Sequence, residues 1–136
     1  NKMQGFINQY PNSEYLSEAN AIVKELDFKL EKKAFGIAKQ YNTISDYQAS
    51  IKAFDNFLLD YPGSPLKEEA HFYRLDASYK LAINSVESKK SERIDNAIKA
   101  YIIFVDSFSG SKYLKKAEDY YQELLIEKQK QEEKNS

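Results

Sequence analysis

The chain has no cysteine and no tryptophan, and only three prolines and four glycines in 136 residues. Without cysteine there is no disulfide framework, thiolate metal site or cysteine nucleophile; the absence does not identify a compartment. So few turn-forming residues leave little room for an all-β chain, and favour helices. A charge excess is missing too: 20 Lys and Arg meet 21 Asp and Glu, a net charge of −1. Proteins built for nucleic-acid backbones normally show a basic excess, so no nucleic-acid partner is expected. No apolar run approaches the roughly 20 residues that cross a bilayer. Asn1-Lys2-Met3-Gln4 leads into no apolar h-region, so no signal peptide is expected in this stretch. What is present is 42% hydrophobic and 30% charged, with eleven Tyr and eight Phe. That suffices for a single domain over residues 1–136 with a modest core.

The sequence repeats itself. Phe6-Ile-Asn-Gln-Tyr10-Pro11-Asn-Ser13 returns as Phe57-Leu-Leu-Asp-Tyr61-Pro62-Gly-Ser64, and more weakly as Phe104-Val-Asp-Ser-Phe108-Ser109-Gly-Ser111. An alanine follows each final serine at the same interval: Ala19, Ala70 and Ala117. Upstream, Tyr47 to Phe57 matches Ile94 to Phe104 without a gap, pairing Ser50 with Ala97, Phe54 with Tyr101 and Phe57 with Phe104. Features sharing one register mark a repeat architecture.

Each unit reads as two helices, giving an all-α solenoid of antiparallel hairpins. Tyr47, Ile51, Phe54 and Leu58 fall on one face of a helix over about Asp46–Tyr61. Thr43-Ile-Ser-Asp46 reads as a capping box ahead of it, and Pro62-Gly63 stops it. Ser64-Pro65 opens the next helix, about Pro65–Glu87, with serine as N-cap. This helix carries two apolar rows, Ala70, Tyr73, Ala77, Leu81 and Phe72, Leu75, Tyr79, Ala82, as a helix packed on two sides requires. The remaining helices are predicted at about Glu14–Tyr41, Glu92–Phe108 and Lys112–Lys130. The hairpins then span 14–61 and 65–108, with a terminal helix over 112–130. Gly36 inside the first helix marks a kink or a close contact. Residues 1–11 read as the end of a truncated repeat, and an uncapped N-terminal face suggests a longer protein. The stretch after Ile126 has no apolar position and reads as a solvated, fraying end.

Tyr47-x-x-Ser50-x-x-x-Phe54-x-x-Phe57-x-x-x-x-Pro62 resembles the second half of a tetratricopeptide repeat, with Ser109 replacing the proline in the next copy. That exchange is expected to weaken the turn. A narrower likeness rests on Tyr61-Pro-Gly-Ser64, Glu68-Glu-Ala70, Leu81-Ala-x-Asn-Ser85-x-x-x-Lys89-Lys90-x-Glu92-Arg93 and Ala97-Ile98-x-x-Tyr101-x-x-Phe104, standing in that order. These strings resemble the BamD (YfiO) family of outer-membrane assembly lipoproteins, in its C-terminal half. The resemblance implies a full-length protein with a lipidated N-terminal cysteine, held on the periplasmic side of the outer membrane. It also implies service in the machinery that inserts β-barrel proteins. Its partners would be the barrel-insertase subunit and accessory lipoproteins, and it would touch the membrane only through the anchor.

No catalytic constellation appears, so no enzyme is expected. The single histidine, His71, lacks further ligands at metal-binding spacing and reads as an ordinary helix residue. Glu68 and Glu69 are adjacent on a helix and point about 100° apart, so they read as solvated charges near a helix N-terminus. No Gly-rich phosphate loop is present, and neither a cofactor nor a metal is expected. Tyr47, Phe54, Phe57, Tyr61, Pro62, Ala70, Tyr73, Ala97, Tyr101, Phe104 and Ala117 are the expected repeat-packing positions, although one or two aromatics at a hairpin tip would serve equally as interface anchors. Lys89, Lys90, Glu92 and Arg93 fall between two predicted helices, as a solvated linker or as an element steering an acidic partner. The outer face carrying Gln48, Lys52, Asp55 and Asn56 is the other candidate docking surface. The function this supports is a scaffold subunit that binds proteins. The rival readings are a periplasmic coordinator of peptidoglycan or envelope constriction, and a generic protein-interaction module.

Overall fold

The computed structural model describes residues 13–134, with side chains from Leu16 onward. The first copy of the repeat motif and the expected end of a truncated repeat over 1–11 lie outside the described residues. Among the described residues every regular element is a helix: α1 (Ser13–Thr43), α2 (Tyr47–Asp60), α3 (Lys67–Ile83), α4 (Glu87–Ser107) and α5 (Leu114–Lys134). This is the all-α hairpin architecture read from the repeats. No helix among the described residues is long and apolar enough to cross a membrane.

The chain divides into two compact units, residues 1–33 and 34–136. In the first, Ala19 is buried, while Leu16, Ile22, Val23, Leu26 and Leu30 are exposed. Glu25 and Lys29 pair one turn apart at 3.8 Å, and the Lys32 ammonium lies 5.0 Å from the Phe28 ring centre.

The second unit holds the core. Phe35, Ala38, Phe54, Phe57 and Ala70 form one cluster, and Phe72, Leu75, Ala100, Phe104 and Ala117 a second. Ala82, Ile94, Ala97 and Leu124 close a third. Small and large side chains alternate, so backbones approach at alanine and aromatic rings fill the space opposite. Phe35 meets Phe54 and Phe57 edge-on at 5.7 and 5.8 Å, the offset that the ring quadrupole favours. The buried line of α2 runs Ser50, Phe54, Phe57 rather than through Tyr47, Ile51 and Leu58, which are half-buried. Ser50 tolerates full burial because its hydroxyl donates to Ala38 O at 2.8 Å, leaving no unpaired polar group.

Of the expected packing positions, Phe54, Phe57, Ala70, Ala97, Phe104 and Ala117 are buried. Tyr47, Tyr61, Tyr73 and Tyr101 are half-buried; the Tyr73 ring stacks on Phe54, Tyr61 tilts against Phe57, and Tyr101 lies flat on Tyr121 at 4.3 Å. Pro62 is exposed. It acts through its fixed backbone and packs against nothing in the core.

The turns show why the repeat reads as it does. Tyr61 N–H donates to Phe57 O, Ser64 N–H to Tyr61 O, Lys67 N–H to Ser64 O and Ala70 N–H to Leu66 O. The later copy repeats each bond with Phe108, Ser111, Leu114 and Ala117 as donors. Ser64 Oγ accepts from Leu66 N–H at 3.0 Å and Ser111 Oγ accepts from Tyr113 N–H at the same distance. The same bonds close the turn with Ser109 as with Pro62, so the lost proline does not alter its geometry. The α-helix starts at Lys67, two residues after Pro65, because the serine hydroxyl first closes a tighter turn.

Other boundaries differ from expectation for local reasons. Asp46 is itself the N-cap of α2, accepting from Ala49 N–H at 3.3 Å; it does not reach back as the far member of a capping box. The α1–α2 turn is a Schellman closure, with Asp46 N–H bonded to Tyr41 O and Ser45 N–H to Asn42 O, and Ser45 in the left-handed region at φ 65. Gly36 is exposed, and a Cβ there would meet nothing within 4 Å, so no close contact explains it. The helix expected to reach Glu87 ends at Ile83, and Glu87 instead begins α4.

Candidate functional site

A groove of 610 Å³ opens across α2, α3 and α4. From α2 it takes Gln48 and Ile51, and from α3 Arg74, Ser78 and Leu81. One face of α4 supplies the rest: Lys89, Glu92, Arg93, Asn96, Lys99 and Ile103, with Ala100 on the floor. Steps of three or four residues keep one side of a helix in line, so this stripe extends about 21 Å at 1.5 Å per residue. The groove is amphipathic. Ile51, Leu81, Ala100 and Ile103 give it apolar surface, while Arg74, Lys89, Arg93 and Lys99 oppose the single carboxylate of Glu92.

The cations differ in how far they are already engaged. Arg74 Nε donates to Asp55 Oδ1 at 2.5 Å, a pair only partly exposed. Arg93 Nη1 donates to Ser85 Oγ at 2.8 Å, and that hydroxyl donates in turn to Leu81 O. A guanidinium has five N–H donors, so this single bond orients Arg93 and leaves most of its fork available. Lys89 and Lys99 are exposed and pair with no carboxylate among the described residues.

The groove unites parts of both surfaces singled out in the sequence. Gln48 comes from one, Lys89, Glu92 and Arg93 from the other. Lys90 is not with them. It lies on the far side of α4 and pairs with Glu127 of α5 at 3.2 Å, since neighbouring helical residues diverge by about 100°. Lys52 and Asn56 are exposed outside the groove, and Asp55 serves it indirectly by holding Arg74. Sequence reasoning missed Arg74, Ser78, Asn96 and Lys99. Lys89, Glu92, Asn96, Lys99 and Ile103 do stand at helical spacing in the sequence, a signal hidden by taking residues 89–93 as a linker.

That linker is the main correction. Lys89 to Arg93 lie inside α4, which begins at Glu87 after an extended Val86. The segment lacks apolar residues, yet it is held as helix by the equally polar end of α5. Glu87 accepts from Lys134 Nζ and from Gln131 Nε2, each at 3.1 Å, and Lys128 pairs with Asp95 at 3.4 Å. The end of α5 is therefore docked through Lys134, with Gln131 buried, and does not fray. Hydrogen bonds from Lys134 and Gln131 hold the Glu87 carboxyl below the usual range, and Lys90 does the same for Glu127.

Behind the groove a polar network fixes α3 against α1 and α5. Asp76, buried, accepts from Asn42 Nδ2 and from Lys80 Nζ, both at 2.9 Å, and from the Tyr120 hydroxyl. Burial, then the bond to Asp76, pushes the Tyr120 hydroxyl pKa up. The neighbouring Tyr79, stacked on Tyr120 at 4.3 Å, is pushed up to about 12 by burial and its bond to Glu123. His71 is half-buried beside Phe108, with 5.6 Å between ring centres; burial first, then Lys67 and Arg74, lower its pKa. Among the described residues no group of three or more His, Asp or Glu is placed to hold a metal ion.

The model of one protein family, YfiO, described as "Outer membrane lipoprotein", matches residues 1–94. The match takes in α1, α2, α3 and the first turns of α4, so the groove's Asn96, Lys99 and Ile103 lie beyond it. No curated protein matches the chain.

Proposed function

Because the chain belongs to the YfiO family of outer membrane lipoproteins, we propose that it is a non-enzymatic scaffold of the machinery that assembles β-barrel proteins in that membrane. Its task is to dock the barrel-insertase subunit on the periplasmic side, with a lipid anchor carried outside these 136 residues, which contain no cysteine. The observation that supports this is the groove: side chains of α2, α3 and α4 converge on one concave surface. Packed helices hold those side chains in fixed order, so a partner finds its donors already placed and less ordering entropy is lost on binding. The groove's ionisable groups are guanidinium and ammonium with one carboxylate. Such a set holds an anionic surface and is poorly suited to passing protons between an acid and a base.

The test is capture from detergent-solubilised outer membranes with this chain as bait, read by mass spectrometry. Recovery of a large outer-membrane β-barrel protein with periplasmic domains is the expected result. Recovery of peptidoglycan synthases or constriction proteins in its place would overturn the proposal.

A further inference from the structure

The basic stripe of α4, facing Arg74 of α3 across an apolar floor, points to one kind of occupant: we infer that the groove seats an acidic, amphipathic segment of a partner protein. The inference rests on the docking reading only in supposing a protein partner; the ligand chemistry follows from the groove itself.

Charge complementarity carries the case. The whole chain has a net charge of −1, yet Lys89, Arg93 and Lys99 gather in one groove with a single lining carboxylate, Glu92, beside an Arg74 that Asp55 already pairs. Where α4 meets α5 the positive groups are neutralised: Lys90 by Glu127, Lys128 by Asp95 and Lys134 by Glu87. In the groove Lys89 and Lys99 have no such partner among the described residues. Cations left unpaired beside apolar surface, in a concave site that focuses their field, attract carboxylates. The Arg93 fork, oriented by Ser85, presents donors that match a carboxylate two at a time. The apolar part demands something more than charge. Ile51, Leu81 and Ile103 line the same cavity, and covering them is worth about 25 cal/mol per Å². A segment alternating acidic and apolar side chains meets both needs. Along the stripe, about 21 Å long, an extended segment of roughly six residues would fit at ~3.4 Å per residue.

A nucleic acid is the less suitable anion. Single strands are held by aromatic rings on which bases stack, and no Phe, Tyr or His lines this groove. The aromatic residues of α3 and α4 are committed to the core clusters instead.

The experiment uses the whole chain and fluorescein-labelled twelve-residue peptides, read by fluorescence anisotropy at two salt concentrations. One peptide alternates Glu and Leu in blocks, a second replaces every Glu with Gln, and a labelled twelve-nucleotide single strand is the third probe. The acidic peptide is expected to bind at least tenfold more tightly than the Gln peptide and the oligonucleotide, and to weaken as salt rises. The double variant Lys89→Glu, Lys99→Glu should lose at least tenfold, and Lys89→Gln, Lys99→Gln a smaller part. Lys115→Glu, Lys116→Glu, two exposed lysines on α5 away from the groove, should stay within twofold. Both lysine pairs are exposed, so circular dichroism should be unchanged throughout. Equal binding of the Gln peptide, preferred binding of the oligonucleotide, or an equal loss from the α5 variant would overturn the inference. The docking reading fails separately. If the Lys89→Glu, Lys99→Glu bait loses the acidic peptide yet captures the barrel protein as before, the groove takes acidic segments and the insertase docks elsewhere.

Discussion

At Ser45 the backbone enters the left-handed region, φ 65, where the Schellman turn after α1 usually has glycine. A side chain there crowds its own carbonyl. Ser45→Gly removes that cost and gives back part of it as unfolded-chain entropy. The expected net gain is about 0.5–1 kcal/mol, seen as a higher urea midpoint with an unchanged m-value. His71 gives a second residue-scale prediction. Its folded-state pKa lies below 6.5, first because of burial and then because of Lys67 and Arg74. As pH falls, the unfolded chain takes up this proton before the folded one does. Stability is therefore full above about pH 6.5 and is lost as pH falls from there to the lowered folded-state value. His71→Gln should flatten that part of the profile, measured as urea midpoints between about pH 7.5 and 5.5. With one histidine in the chain, no other imidazole contributes to this window.

Two helices illustrate what an element can conceal from its sequence. The core of α4 from Ile94 onward was legible, because Ile94, Ala97, Ala100 and Phe104 are apolar at helical spacing and all are buried. The five residues before the expected start at Glu92, Glu87 to Ser91, were not legible as part of it, and neither was the last turn of α5. Neither stretch has an apolar stripe; Glu87–Lys134 joins them directly, and Lys90–Glu127 and Asp95–Lys128 tie the adjoining turns of the two helices. Patterning that reports burial is silent about pairing between distant segments. Lys89, Glu92 and Arg93 were singled out, but the face that joins them to Asn96 and Lys99 becomes definite only once α4 is known to begin at Glu87. Lys90–Glu127 is the least exposed of these pairs, with side chains 16% and 22% exposed. Lys90→Glu alone should cost about 1 kcal/mol or more by placing like charges together. Adding Glu127→Lys should recover most of that loss, a coupling readable from urea midpoints of the singles and the double. Retention of full stability by the single reversal would mean the pair contributes nothing to holding the two ends.

Across the whole molecule, the repeat was the most reliable signal, and the structure shows what it encodes. Ala70, Ala117 and Phe104 are fully buried and Phe57 nearly so, which explains why those letters recur. The choice between solenoid helices and other helical folds was also legible, because the two apolar rows of α3 face different neighbours: Ala70 joins the cluster with α1 and α2, and Phe72 and Leu75 that with α4 and α5. The direction in which a side chain such as Ser50 or Asp76 satisfies itself was not, since each depends on a partner brought in from another helix. The recurring turn leads further. Its bonds pass almost wholly between backbone atoms and one serine hydroxyl, so the amino acid after the aromatic residue is free to drift, as Pro62 and Ser109 show. Kinship among such repeats is thus inherited as a wiring pattern more faithfully than as a spelling. A search for the letters Tyr-Pro would pass over the copy at Phe108, whereas a search for an aromatic residue, a serine three places on and an alanine six beyond it would find both.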